Sequence, residues 1–174
     1  MSKVINIPRY AAQDFNRAIE KFCLSFDPPN TIWVSIGEPD VADSMISSEV
    51  LDEIPNLKLA FWDLSQVINH DGENLYPPNE SDAKKIVDFI LLHRGKEVIV
   101  NCAAGVSRSG AVAQFCEDFL DYEWSNFGKR NSCPNHVLYN LMRDYFLSLE
   151  FEEKFGPKPL LSAYEKIIDK QSKS

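Results

Sequence analysis

The chain has 174 residues, 44% hydrophobic and 25% charged, which is the span of one ordinary globular domain able to bury its own core. With 26 acidic against 18 basic side chains the formal charge is −8, and no run of Lys or Arg offsets it, so a nucleic-acid or anionic-membrane surface is not its main business. The same composition excludes disordered, collagen-like and low-complexity readings.

Residues 1–15 carry no basic segment followed by an apolar run and a cleavage site. No stretch approaches the roughly 18 apolar residues of a membrane span. The expectation is a soluble, unexported, cytoplasmic protein with a single domain over 1–174. In chain order, β-branched or alternating runs predict strands at Val4–Ile7, Thr31–Ile36, Leu57–Phe61 and Val98–Asn101. Helical spacing of apolar residues predicts five helices. The first is marked by Phe15, Ala18, Ile19, Phe22 and Phe26. The second runs through Ala83, Ile86, Val87, Ile90 and Leu91, with Ser81 as its cap and Gly95 as its stop. The third carries Val112, Phe115, Cys116, Phe119 and Leu120. The fourth spans Leu138 to Leu149, opened by Pro134 and Asn135, and the last has Leu160, Leu161, Tyr164, Ile167 and Ile168. Loops fall at Asp27–Asn30, Asp63–Pro78 and Gly128–Pro134, and the middle one is long for a compact domain. Together these predict an α/β fold: a central, mostly parallel sheet of about four to five strands, flanked by helices on both faces.

The chemistry concentrates in Val98-Ile-Val-Asn-Cys102-Ala-Ala-Gly-Val-Ser-Arg108-Ser109-Gly110. An apolar strand ends, a loop of small residues follows, and a helix begins at about Ser109. That layout makes an anion site, since loop N–H groups turn inward and the helix N-terminus adds positive potential. Ala103, Ala104, Gly105, Val106 and Ser107 let the backbone approach a ligand, and Arg108 adds a fork for two phosphate oxygens. The same field favours Cys102 as a thiolate, a nucleophile at the floor of a phosphate cradle. The bare spacing of a Cys six residues before an Arg is a weak signal; the strand, small loop, Ser and helix around it give it weight. Gly105 to Gly110 also matches half of a nucleotide-binding P-loop, but Ala111 and Val112 stand where Lys and Ser/Thr are needed.

The segment Cys102-Ala-Ala-Gly-Val-Ser-Arg108-Ser109 resembles the H-C-x5-R-[S/T] motif of the cysteine-dependent protein tyrosine phosphatases, specifically their compact dual-specificity-like branch. Ala83-Lys-Lys-Ile-Val-Asp-Phe-Ile looks like the helix before the catalytic strand, and Pro134-Asn135 is similar to the family's "PN" helix start, so the resemblance covers about Leu57 to Leu149. It implies a dual-specificity-phosphatase-like fold and a two-step, metal-independent hydrolysis of phosphate monoesters. Phosphotyrosine in proteins is the leading substrate, with phosphoserine and phosphothreonine as further ones. Cys102 attacks phosphorus, Arg108 and the loop amides hold the transition state, and Ser109 assists the departing thiolate in the second step. No cofactor is implied, and the partner is the phosphorylated protein or an aryl phosphate. The alternative is a phosphate-binding pseudophosphatase serving as an interaction module. The family's His before the Cys is Asn101 here, which implies a less acidic Cys102 and activity shifted to higher pH.

A general acid is also required upstream. Asp63 follows the predicted strand Leu57–Phe61, whereas Asp71 lies closer to the usual spacing before Cys102; Asp63 is favoured, with Asp71-Gly72 reading as a turn. The histidines His70, His93 and His136 lack metal-ligand spacing with one another or with Cys, and the four cysteines (Cys23, Cys102, Cys116, Cys133) form no CxxC pair. Cys23 and Cys116 fall on apolar helix faces. Trp33, Trp62 and Trp124 are expected in the core or rim, and Lys129-Arg130 in a solvated turn.

Overall fold

Long crossover segments join strands that run the same way, and the computed structural model, which describes residues 2–13, 27–39, 54–125 and 129–156, shows the consequence. Strands β1 (Lys3–Pro8), β2 (Thr31–Gly37), β3 (Asn56–Ala60), β6 (Glu97–Cys102) and β7 (Glu123–Trp124) form one parallel sheet in the order β3-β2-β6-β1-β7. The four predicted strands are all present. The fifth, the two-residue β7, is too short to leave a periodic signal. β6 is central, with Pro8 of β1 opposite Cys102 and Ser35 of β2 opposite Asn101.

Alternate residues of the central strands (Val4, Ile32, Val34, Ile36, Val98, Val100 and Cys102) join one core with the helices α2 (Glu80–Leu92), α3 (Arg108–Leu120) and α4 (His136–Phe155). The other set, including Ile5, Ile7, Trp33 and Ile99, is buried as well, so the sheet is covered on both faces. A five-residue helix α1 (Arg9–Gln13) continues directly from β1. The sequence periods at Phe15–Phe26 and Leu160–Ile168, and Cys23, lie outside the described residues. Among the described residues, no helix is long and apolar enough to cross a membrane.

Two local expectations are corrected. The cap of α2 is Asn79, not Ser81: its side chain accepts from the N–H groups of Ser81 and Asp82, while Asp82 reaches back to the Asn79 N–H. Such a reciprocal box outweighs a lone Ser two residues later and is worth about 1 kcal/mol. The stretch Asp63–Pro78 is not plain loop. It carries an antiparallel hairpin, β4 (Ile68–His70) and β5 (Glu73–Leu75), turned at Asp71 (φ 50°) and Gly72 (φ 88°). Two successive positive φ angles are what a tight hairpin turn demands, and Asp-Gly supplies them.

Candidate active site

In a parallel sheet all strands end on one edge, where ligand sites of α/β folds form. Cys102 ends β6, Arg9 follows β1, Glu38 follows β2, and Asp63 lies three residues past β3. That edge collects the residues of the candidate site from four separate parts of the sequence.

The loop Ala103–Ser107 is held open from outside. The carbonyl of Ala103 accepts from the Arg9 N–H (3.2 Å), that of Gly105 from Asn6 Nδ2 (2.8 Å), that of Val106 from the Cys133 N–H (3.2 Å) and that of Ser107 from the Asn135 N–H (3.1 Å). A trans peptide directs its N–H opposite to its C=O, so outward carbonyls turn the following N–H groups, those of Ala104, Val106, Ser107 and Arg108, toward the loop interior. α3 starts at Arg108, and Ser107 gives its N-terminus no side-chain cap. The first amides of that helix are left for an anion. Gly105 is obligatory here: its φ is +70°, and a Cβ would lie 2.3 Å from the Pro8 nitrogen.

Beneath the loop, Cys102 is buried, with its Sγ 3.1 Å from the Ser109 Oγ. Arg108 is also buried. Its Nη1 donates to the carbonyls of Gly37 (2.9 Å) and Phe61 (2.8 Å), and its Nη2 is paired with Glu38. The remaining Nε has no hydrogen-bond partner and lies 3.9 Å from Asp63 Oδ2. A buried guanidinium N–H without a hydrogen bond is costly, and a phosphate oxygen would satisfy it.

Asp63 sits over this loop. Its Oδ1 accepts from Ser107 Oγ and from Asn135 Nδ2, each at 2.8 Å, and its side chain is 35% exposed. Asn135 is also the cap of α4, accepting from the Leu138 N–H, so one side chain fixes both the helix start and the carboxylate. Asp71 is at the hairpin tip, 92% exposed and beside His70. The structure therefore brings Cys102, Arg108, Ser109 and Asp63 together and leaves Asp71 outside. Trp62 lines hollows formed with the hairpin residues Glu73 and Leu75.

Sequence reading missed four contributors. Glu38 bonds both Arg108 and Arg9; burial pushes its carboxyl up, but the hydrogen bonds and charges of the two arginines prevail and hold it below the ordinary 4.5. Buried Asn6 joins the Gly105 carbonyl, Ser132 Oγ and Trp124 Nε1. Arg9 belongs to the same edge. Trp33 donates to Asn101 Oδ1 (2.8 Å), while Asn101 Nδ2 is buried without a partner. For Glu38 and Arg9 the available signal was position, a polar residue just past a predicted parallel strand, whereas Asn6 and Trp33 lie within strands. Of the other cysteines, Cys116 is buried, its thiol pushed far up by desolvation, and Cys133 is exposed. Lys129 pairs with Glu117 on the surface.

No protein-family model matches the chain, and no curated protein is significantly similar to it. Solved structures similar to it include the human tyrosine phosphatase-like serine/threonine/tyrosine-interacting protein (15% identity, 82% of this chain and 91% of that chain, TM-score 0.49). Others are the Yvh1 phosphatase domain from Chaetomium thermophilum (14% identity, 84% and 91% covered, TM-score 0.45) and Tk-PTP in its active form (16% identity, 83% and 80% covered, TM-score 0.40).

Proposed function

We propose that this protein hydrolyses phosphate monoesters, phosphotyrosine in proteins above all, through a phosphocysteine on Cys102. The observation that carries this reading is the buried Arg108 Nε, which has no hydrogen-bond partner and only a 3.9 Å ion pair to Asp63, beside a loop whose amides turn inward above the Cys102 thiol. A phosphoryl group seated there has donors on its equatorial oxygens and sulfur beneath it. In the first step the Cys102 thiolate bonds to phosphorus, and the ester oxygen leaves with the electron pair of the broken P–O bond. Asp63, in its protonated form, supplies the proton that neutralises that oxygen. In the second step water attacks phosphorus and the P–S bond breaks. Asp63 takes the proton from the water, and Ser109, 3.1 Å from the sulfur, hydrogen-bonds the returning thiolate. Recognition needs no basic surface, in keeping with the net charge of −8.

Asn101 sits where the family's His stands. Held by Trp33, it adds no charge beside Cys102 and leaves the thiolate to the loop and helix field.

The test is steady-state hydrolysis of an aryl phosphate in EDTA by wild type, Cys102→Ser and Arg108→Lys. Turnover that both substitutions reduce by about a thousandfold or more supports the reading. Binding of orthovanadate without any turnover would instead favour the pseudophosphatase, and absence of both would remove the phosphate site altogether.

A further inference from the structure

Glu38 poses a problem for an anion site. Its carboxylate, 15% exposed, is paired directly with Arg108, the one buried cation at the cradle, and an ion pair so placed cancels the charge that a phosphate dianion must meet. Glu38 also has a clear use. With the carbonyls of Gly37 and Phe61 it fixes the plane of the guanidinium and leaves Nε free of hydrogen bonds beside Asp63. Orientation and charge are therefore in conflict at this residue.

Arg9 resolves the conflict. Each Glu38 oxygen takes one guanidinium: Oε1 pairs with Arg108 Nη2 and Oε2 with Arg9 Nη2. Arg9 is itself fixed, because its N–H donates to the Ala103 carbonyl in the loop and its side chain is only 19% exposed. It follows Pro8, which stands opposite Cys102 in the sheet, so the second cation is built into the same edge as the nucleophile.

We propose, resting on the phosphate-cradle reading above, that Arg9 is a charge-balancing positioning residue of the active site: it neutralises Glu38, so that Glu38 orients Arg108 without cancelling its charge toward the substrate phosphate. Arg9 acts through Glu38 rather than by touching the substrate. Its contribution falls on anion affinity, shared by ground and transition states, so it changes KM rather than kcat.

A double-mutant cycle over Arg9→Met, Glu38→Gln and their combination tests this, with orthovanadate affinity by titration calorimetry and kcat and KM on an aryl phosphate as readouts. Arg9→Met alone is expected to weaken orthovanadate binding and raise KM about tenfold, with kcat within about twofold of wild type. Adding Glu38→Gln to Arg9→Met is expected to restore both quantities to within about threefold of wild type, because the carboxylate left uncompensated by the first substitution is gone. A double variant that binds no better than Arg9→Met alone would overturn the proposal, as would an Arg9→Met enzyme indistinguishable from wild type. Arg9→Lys keeps the charge and carries little risk to folding: affinity within about threefold of wild type supports the charge role, and a tenfold loss overturns it. Wild type that binds no orthovanadate would instead overturn the phosphate-cradle reading; wild type that binds it normally, with no effect of Arg9→Met, would overturn only the role of Arg9.

Discussion

The floor of the candidate site and the hairpin beside it are built on opposite principles. The loop 103–107 is tied at four carbonyls to two distant segments of the chain, residues 6–9 and residues 133–135. The hairpin β4–β5 is exposed along nearly all its length, and its side chains pair locally, Asn69 with Asn74 and His70 with Asp71. Chemistry that must place a phosphorus atom against one sulfur needs the first kind of construction. The second kind tolerates change, and Asp71, although suitably spaced in sequence, belongs to it.

The contrast can be broken at its strongest point. Gly105→Ala forces a Cβ into the backbone at Pro8 and Ile7 and strains a positive φ, so the loop must shift. Turnover of an aryl phosphate is expected to fall by about a hundredfold or more, with orthovanadate affinity lost in parallel. Asp63→Asn and Asp71→Asn then sharpen it. The first should slow esters of poor leaving groups about a hundredfold and good ones by less than about threefold, the mark of a lost proton donor. Asp71→Asn should leave both rates unchanged; a leaving-group effect at Asp71 instead would reverse the assignment.

Asn6→Leu tests the scaffold without touching a reacting group. It strips partners from the Gly105 carbonyl, Ser132 and the buried Trp124 Nε1, and thermal unfolding should show a loss of about 3 kcal/mol, a Tm drop of about 8 °C. A smaller effect concerns acid stability. Because the folded-state pKa of Glu38 is held below 4.5, its ion pairs stabilise the fold fully above that value. The stabilisation is lost as pH falls through the lower folded value. Acid titration of unfolding should therefore show Glu38→Gln converging on wild type below pH 4.5.

Local signals carried much of this. Strand periods at 4–7, 31–36, 57–61 and 98–101 and the cap at Asn135 are properties of short windows, and so is the Cys102–Ser109 loop, whose small residues announce close backbone approach. Asp63 could be preferred because it follows a strand end. Strand order, however, is a long-range property: β6 lies between β2 and β1 only after the chain has closed several crossovers. Without that order, nothing places Glu38 or Asn6 beside residues 70 and 99 positions later, or Arg9 beside Ala103. The cap at Asn79 was missed for a simpler reason, because Asp82 completes a reciprocal box only when read together with it.

The central claim is that Cys102 carries the phosphoryl group during turnover. Acid-quenched samples of the enzyme mixed with an aryl phosphate, digested and read by mass spectrometry, test it directly. The account predicts one phosphoryl group on the Cys102 peptide within a single turnover, accumulating further in an Asp63→Asn enzyme given a good leaving group and absent from Cys102→Ser. Turnover at an undiminished rate in Cys102→Ser, or a phosphoryl group trapped on another residue, would contradict it.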